Sequence, residues 1–428
     1  MTFQRRLLLA AGGGWLFDAM DLLLVGSVVA AVGRAWDLPK PVVGFIITAN
    51  LAGMFLGAAL SGIVADRFGR KAVFTWTILA YSLLTGLSAF AWSAAALGAI
   101  RFLAGLGLGG ELPVASTLVS EFAPARQRGR TVVLLESFWA YGSVLAALIG
   151  ATIVPLHEGW RIALLLGTLP ALYVFVIRRA IPESPRWLLS QGRTLEAREA
   201  ARTAGIAEET PQAPLRASLG QLFGPALRRR TIMLWALWMA LVVSYYGIFT
   251  WMPSLLLAKG FTLREALWLN LAIAVFQIPG YYAAAALVDR LGRKATLVGF
   301  LTCAALGSFF FAGATLAAHP SVAAVIGWGA VIAFFNLGAW GVTYTYTPEQ
   351  YPTAIRASGA GLAAGAGRLV GALAPSLVPL LLVRFGSPYS VFVLFAAVML
   401  AGAVVVLALG EETRGRTLEA ISETPLAA

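Results

Sequence analysis

The chain is divided into stretches of about twenty apolar residues joined by short polar segments, and that pattern limits its possible folds more than any other feature. A helix needs about 20 such residues to cross a hydrocarbon core of about 30 Å. Twelve runs of this kind fall at 7–33, 42–65, 72–91, 94–118, 131–153, 160–178, 231–257, 265–287, 295–317, 321–346, 354–383 and 386–409. None shows the sustained period-2 alternation of a half-buried strand. Hydrophobic residues make up 59 % of the chain and charged ones only 12 %, far more apolar surface than a soluble protein needs. The expectation is an all-α membrane protein with twelve transmembrane helices.

The first stretch, "MTFQRRLLLAAGGGWLFDAMDLLL", imitates a secretory leader, with two arginines before an apolar run. It is too long, carries Asp18 and Asp21 and offers no convincing cleavage site, so it is expected to remain as the first helix. The placement of basic charge sets the orientation. With both termini cytoplasmic, 24 of the 32 Lys and Arg fall on the cytoplasmic side, 6 fall outside, and two, Arg101 and Arg368, lie within helices. That asymmetry is the positive-inside pattern, so the net charge of +12 reads as topology and not as a nucleic-acid surface. A single cysteine, Cys303, excludes an intramolecular disulfide. His157 and His319 fall in loops far apart in sequence, so neither a metal site nor another cofactor is expected.

The chain also repeats itself. "ADRFGRK" at 65–71 recurs as "VDRLGRK" at 288–294, and "EFAPARQR" at 121–128 recurs as "EQYPTAIR" at 349–356. Each member of a pair falls at the same place in its half. Two pseudo-symmetric six-helix bundles are expected, 1–181 and 231–428, joined by a polar cytoplasmic segment at 182–230 with short helices of its own. Parallel repeats about a midplane site are a common plan for alternating-access transporters. In the repeated loops, Gly69 and Gly292 suit tight turns. The charges around them, Asp66, Arg67, Arg70, Asp289, Arg290 and Arg293, with Glu121, Arg128, Glu349 and Arg356, form a candidate cytoplasmic gate between the halves.

These motifs carry a family resemblance. The paired D-R-x-G-R-K loops, "RFLAGLGLGG" at 101–110, "PESPRWLL" at 182–189 and "EETRGRTLE" at 411–419 resemble the major facilitator superfamily across essentially the whole chain. The last two look like its sugar-porter and organic-ion-transporter branches. More narrowly, "GWLFDAMDLLLVG" (14–26), "GLGLGGELPVASTLVSEFAP" (105–124) and "VVLLESFWAYG" (132–142) look like the bacterial niacin transporters of the metabolite–proton symporter type. The resemblance implies a monomeric carrier in the bacterial inner membrane, moving a small organic anion with protons.

Ionisable residues inside membrane helices are costly and mark function. Here they are Asp18, Asp21, Glu111 and Glu136 against Arg101 and Arg368, which leaves acid in excess. With no histidine in the spans, proton coupling has to run through carboxyls. In the proton-coupled sugar porters that this chain resembles, an acid of the first helix pairs with the arginine that opens the fourth-helix motif. Asp21, at a depth compatible with contact to Arg101, is the favoured titrating acid, with Asp18, Glu111 and Glu136 as the other members of the set and an ion pair without a proton role as the alternative. Arg368 stands near the middle of the eleventh run, where the resemblance points to the arginine of organic-anion transporters. A planar guanidinium suits a carboxylate. Trp340, Asn336, Gln277, Tyr245 and Trp139 fall deep in their helices and are the candidate pocket walls. The expected cargo is a small aromatic carboxylate, nicotinate first. A benzoate-type acid or a sugar is the alternative cargo, and a membrane sensor on the same fold is the alternative class.

Overall fold

The computed structural model describes residues 3–122, 134–204, 219–317, 320–351, 356–371 and 373–414. Among the described residues the regular structure is entirely helical. The chain divides into two compact units, Met1–Pro214 and Leu215–Ala428.

The first unit holds α1 (Phe3–Ala35), α2 (Lys40–Phe68), α3 (Arg70–Ser88), α4 (Ala94–Phe122), α5 (Phe138–Thr152), α6 (Gly159–Leu166) and α7 (Pro170–Ala180). Two short helices follow, α8 (Pro185–Ser190) and α9 (Thr194–Ala204). The second unit holds α10 (Arg228–Phe249), α11 (Met252–Leu257), α12 (Leu263–Val275), α13 (Gln277–Leu291), α14 (Arg293–Ala314), α15 (Val322–Glu349), α16 (Arg356–Gly371), α17 (Ala374–Phe385) and α18 (Tyr389–Leu409). Ten helical stretches are long and apolar enough to cross a membrane. α3 and α4, of 19 and 29 residues, bring the number of spans to the expected twelve.

Four of the described spans are broken within their length, one of them, Leu134–Thr152, at Ser137. α6 and α7 together make another, Gly159–Ala180, with a turn at Gly167–Leu169. The span Leu263–Val288 breaks at Phe276, and Gly359–Phe385 breaks after Gly371. Pro170 and Pro375 open the helices that follow two of these breaks, in the first turn, where a missing N–H leaves no hydrogen bond unmade.

Helix packing in lipid depends on close backbone approach, because the surrounding tails are as apolar as the side chains. The α2–α4 seam meets this need with glycine on both sides. Gly53 and Gly57 lie against the carbonyls of Phe102 and Leu106, while Gly105 and Gly109 lie against those of Asn50 and Met54. Any Cβ at these four positions would run into backbone.

The repeated loops have one construction. Gly69 (φ +101) and Gly292 (φ +95) each end one helix and cap the next. In the first unit the backbone N–H groups of Arg70 and Lys71 donate to Glu183 Oε1 at 2.9 and 3.1 Å. In the second, those of Arg293 and Lys294 donate to Glu412 at 2.9 and 3.0 Å. An anion placed there satisfies the free donors of the helix start and its dipole. A side chain at Gly69 or Gly292 would collide with the same carboxylates. Below this cap, α8 and α9 form a small cluster of their own, Trp187, Leu188, Ala197 and Ala200. Ser184 caps α8, its hydroxyl accepting from the Trp187 N–H at 3.2 Å.

Candidate functional site

Each unit carries its own cluster of polar groups at mid-span. In the first, Arg101 of α4 is 1 % exposed and ties four helices together. Its Nη2 donates to Asp21 Oδ2 of α1 at 2.6 Å and to Asn50 Oδ1 of α2 at 3.0 Å. Its Nη1 donates to Thr85 Oγ1 of α3 at 2.9 Å and, at 3.4 Å, to the other oxygen of Asp21. The acid that the arginine holds is Asp21. Asp18, one turn before Asp21, is fully buried, as are Glu111 on α4 and Glu136 just ahead of α5. A desolvated carboxylate–guanidinium pair is stable only if its remaining hydrogen bonds are made. Asn50 and Thr85, which composition alone does not single out, supply two of them, and Arg101 Nε has none among the described residues.

In the second unit the mid-span cluster is aromatic. Trp340 of α15 lies 5.8 Å from Tyr245 and 5.6 Å from Trp238, both of α10. Tyr344, one turn along α15, stacks on Trp340 at 5.9 Å and meets Trp238 edge-on at 5.1 Å. Gly367 of α16 packs on Trp238, and Gly371 packs on Val242 with Tyr246 beyond it. Arg368 follows Gly367 directly, about 100° further round the helix, and is half-buried in the last turn of α16. Among the described residues it makes no hydrogen bond or ion pair. Of the two arginines embedded in spans, one is paired within its unit and the other has no such partner among the described residues.

The remaining pocket candidates are placed differently. Asn336 is fully buried, and its Nδ2 donates to Ser244 Oγ at 3.3 Å and to Met399 Sδ at 3.4 Å. Gln277 is buried at the first position of α13, directly after the break at Phe276. Trp139 belongs to the first unit, where its ring lies 4.8 Å from Trp15. Trp238, Tyr344 and Trp15 are absent from the candidates drawn from sequence. Seven residues separate Trp238 from Tyr245 and four separate Trp340 from Tyr344, so helical spacing alone would have grouped them.

Of the candidate gate, Arg293 donates to both oxygens of Glu349 within its own unit, Nε to Oε2 at 3.1 Å and Nη2 to Oε1 at 3.2 Å. Arg230 joins Glu411 at 2.6 Å, and the Tyr346 hydroxyl donates to the Glu411 carbonyl at 2.6 Å. Together these fasten the segment after α18 to α10, α14 and α15. Arg67 lies over the Phe68 ring at 5.4 Å, Arg70 donates to the Ala65 carbonyl at 3.2 Å, and Arg290 is exposed at the end of α13. The side chains of Asp66, Glu121, Asp289 and Arg356, and all of Arg128, lie outside the described residues.

Twelve spans in two similarly built units, an ion pair inside one and, inside the other, an arginine without a partner among the described residues, make a multi-pass membrane protein of the major facilitator fold, and its relatives make it a transporter. The chain belongs to the family described as sugar (and other) transporter, whose model matches residues 27–424. It is 47 % identical to the niacin transporter NiaP of Acinetobacter baylyi, covering 98 % of this chain and 96 % of that one. It is 42 % identical to the putative niacin/nicotinamide transporter NiaP of Bacillus subtilis, covering 97 % and 98 %. The fold matches the xylose transporter XylE from E. coli, in a partially occluded inward-open conformation, with a TM-score of 0.79 over 97 % of this chain and 99 % of that one, at 20 % identity.

Proposed function

We propose that this protein imports nicotinate by alternating access, coupled to protons, across a bacterial inner membrane with both termini in the cytoplasm. The observation that carries the cargo is Arg368, a span-embedded cation with no anionic partner among the described residues, next in sequence to Gly367, which packs on Trp238 of the ring cluster Trp238, Trp340, Tyr344 and Tyr245. A planar guanidinium takes a carboxylate through two parallel hydrogen bonds, and aromatic walls take the flat pyridine ring. The two relatives named for niacin support the same cargo.

Coupling follows from the other cluster. Asp21 and Arg101 neutralise each other while they touch. A proton on Asp21 would release the arginine, and losing it would restore the pair, so α1 and α4 respond to protonation directly. The repeated loops, with Asp66, Arg67 and Arg70 in one unit and Asp289, Arg290 and Arg293 in the other, are the proposed cytoplasmic gate.

The test is uptake of labelled nicotinate into proteoliposomes with and without an inward proton gradient. Accumulation that follows the gradient and is competed by unlabelled nicotinate, but not by xylose, is expected. Xylose competition, or uptake indifferent to the gradient, would reject the assignment.

A further inference from the structure

The Asp21–Arg101 pair leaves Glu111 over. It stands ten residues beyond Arg101 on α4, about 15 Å further along the helix, and is fully buried. Among the described residues neither of its carboxyl oxygens makes a hydrogen bond of good geometry, and the polar group nearest to making one is the Tyr81 phenol of α3.

Among the described residues the surrounding helices carry their basic side chains at their ends, Arg5, Arg6 and Arg34 on α1, Arg70 and Lys71 on α3, and Arg178 and Arg179 on α7. From α1, Gly14 leaves room for it: a Cβ there would lie 2.8 Å from Glu111 Oε1, with Phe74 and Ile78 of α3 lining the same spot. Also from α1, the charge of Asp18 opposes that of Glu111, and Asp21 is held by Arg101. α3 contributes the buried phenol of Tyr81. α7 contributes Tyr173, whose hydroxyl donates to the Leu9 carbonyl at 3.1 Å. α2 keeps its charges, Lys40, Asp66 and Arg67, at its two ends, and Glu136 ahead of α5 is another acid. A carboxylate isolated from water without a counter-ion is held neutral by taking a proton.

We propose that Glu111 is a second coupling site, which takes a proton from the outside, carries it as a neutral carboxylic acid and releases it to the cytoplasm, in addition to the proton exchanged at Asp21. This rests on the reading of the protein as a proton-coupled nicotinate carrier. The balance is simple. An O–H bond forms on the Glu111 carboxylate from an external proton, and the same bond breaks to return a proton inside. One proton with one nicotinate monoanion moves no net charge, whereas two protons carry one positive charge inward. Transport is then driven by membrane potential as well as by pH.

The experiment uses the full chain in proteoliposomes, with potassium and valinomycin setting an inside-negative potential at equal pH. The wild type is expected to accumulate labelled nicotinate, up to about 50-fold at 100 mV for one net charge. Glu111→Gln keeps the shape of the neutral acid and is expected to lose that response. At zero potential and one pH unit, its accumulation falls from about 100-fold to about 10-fold, each proton contributing a factor of about ten. A wild type that responds to pH but not to potential would overturn the proposal and leave the carrier reading standing. So would a Glu111→Gln protein that still responds to potential. A wild type with no pH-driven uptake would remove the carrier reading and the proposal together. Should Glu111→Gln fail to fold, as gel filtration would show, the voltage response of the wild type alone decides.

Discussion

At the scale of single residues, the two span-embedded arginines are opposite cases of one electrostatic rule. Arg101 is paired with Asp21, so its removal leaves the Asp21 carboxylate buried without a counter-charge. Breaking such a pair costs about 3–5 kcal/mol, and Arg101→Ala is expected to lower stability by that amount in thermal unfolding in detergent. Asp21→Asn is expected to reduce accumulation driven by one pH unit from about 100-fold to the about 10-fold that one remaining proton sustains, while sparing nicotinate exchange across an equilibrated membrane. Undiminished accumulation after the substitution would move the coupling role of Asp21 to another carboxyl. Both arginines and all four acids are visible in the sequence, because charge inside an apolar run is conspicuous. Which acid meets Arg101 is decided by the approach of α1 to α4. Asn50 and Thr85, which complete the pair, look like ordinary polar residues until the four helices converge.

At the scale of elements, the glycines mark where backbones touch. Gly57→Val would push a branched side chain into the Leu106 carbonyl. The neighbour is backbone and cannot repack, so the loss should exceed the about 1–3 kcal/mol of ordinary overpacking and show as absence of monodisperse protein. Gly69→Ala and Gly292→Ala meet both a left-handed φ and a carboxylate, and each should cost about 1–3 kcal/mol in the same unfolding assay. The carboxylate at the second loop also predicts a pH dependence. Burial works to raise the pKa of Glu412, but the N–H groups of Arg414, Arg293, Lys294 and Thr413 outweigh it and hold the group below its ordinary value of 4.5. A group whose pKa is depressed by folding stabilises above its unfolded value and loses that contribution as pH falls below it. The difference in Tm between the wild type and Glu412→Gln should therefore be full at pH 7 and shrink below pH 4.5. A difference that is constant down to pH 3 would contradict the capping role. The repeated glycines can be read from the sequence, whereas their partners Glu183 and Glu412 cannot, since each lies more than a hundred residues away. The mid-span breaks are half legible: Pro170 and Pro375 announce two of them, and the breaks at Ser137 and Phe276 have no proline at those residues.

At the scale of the whole molecule, twelve apolar runs and two repeated motifs were enough to specify the major facilitator fold, because a lipid solvent leaves little choice of element and a repeat leaves little choice of plan. The ring wall was only partly legible. Trp and Tyr in membrane helices belong by default to the interfacial belts, so Trp238 and Tyr344 become pocket candidates only once Trp340 is seen against them. Orientation is a separate expectation, resting on the distribution of Lys and Arg. In a Cys303→Ala background, Gln191→Cys, at an exposed turn between α8 and α9, is expected to react with impermeant maleimide from the cytoplasmic side only. Reaction from the outside would reverse the topology.

The claim on which the account depends is that Arg368 holds the carboxylate of the cargo, and calorimetric titration of purified protein tests it most directly. Truncating one partner of a desolvated charge pair costs about 2–5 kcal/mol, or tens- to thousands-fold in affinity at about 1.4 kcal/mol per tenfold. Arg368→Ala is therefore expected to lose nicotinate affinity by that factor, and Arg368→Lys to be impaired because it keeps the charge without the planar fork. Nicotinamide, which has no negative charge, should bind equally weakly to the wild type and Arg368→Ala. A well-folded Arg368→Ala protein that binds nicotinate as tightly as the wild type would contradict the account.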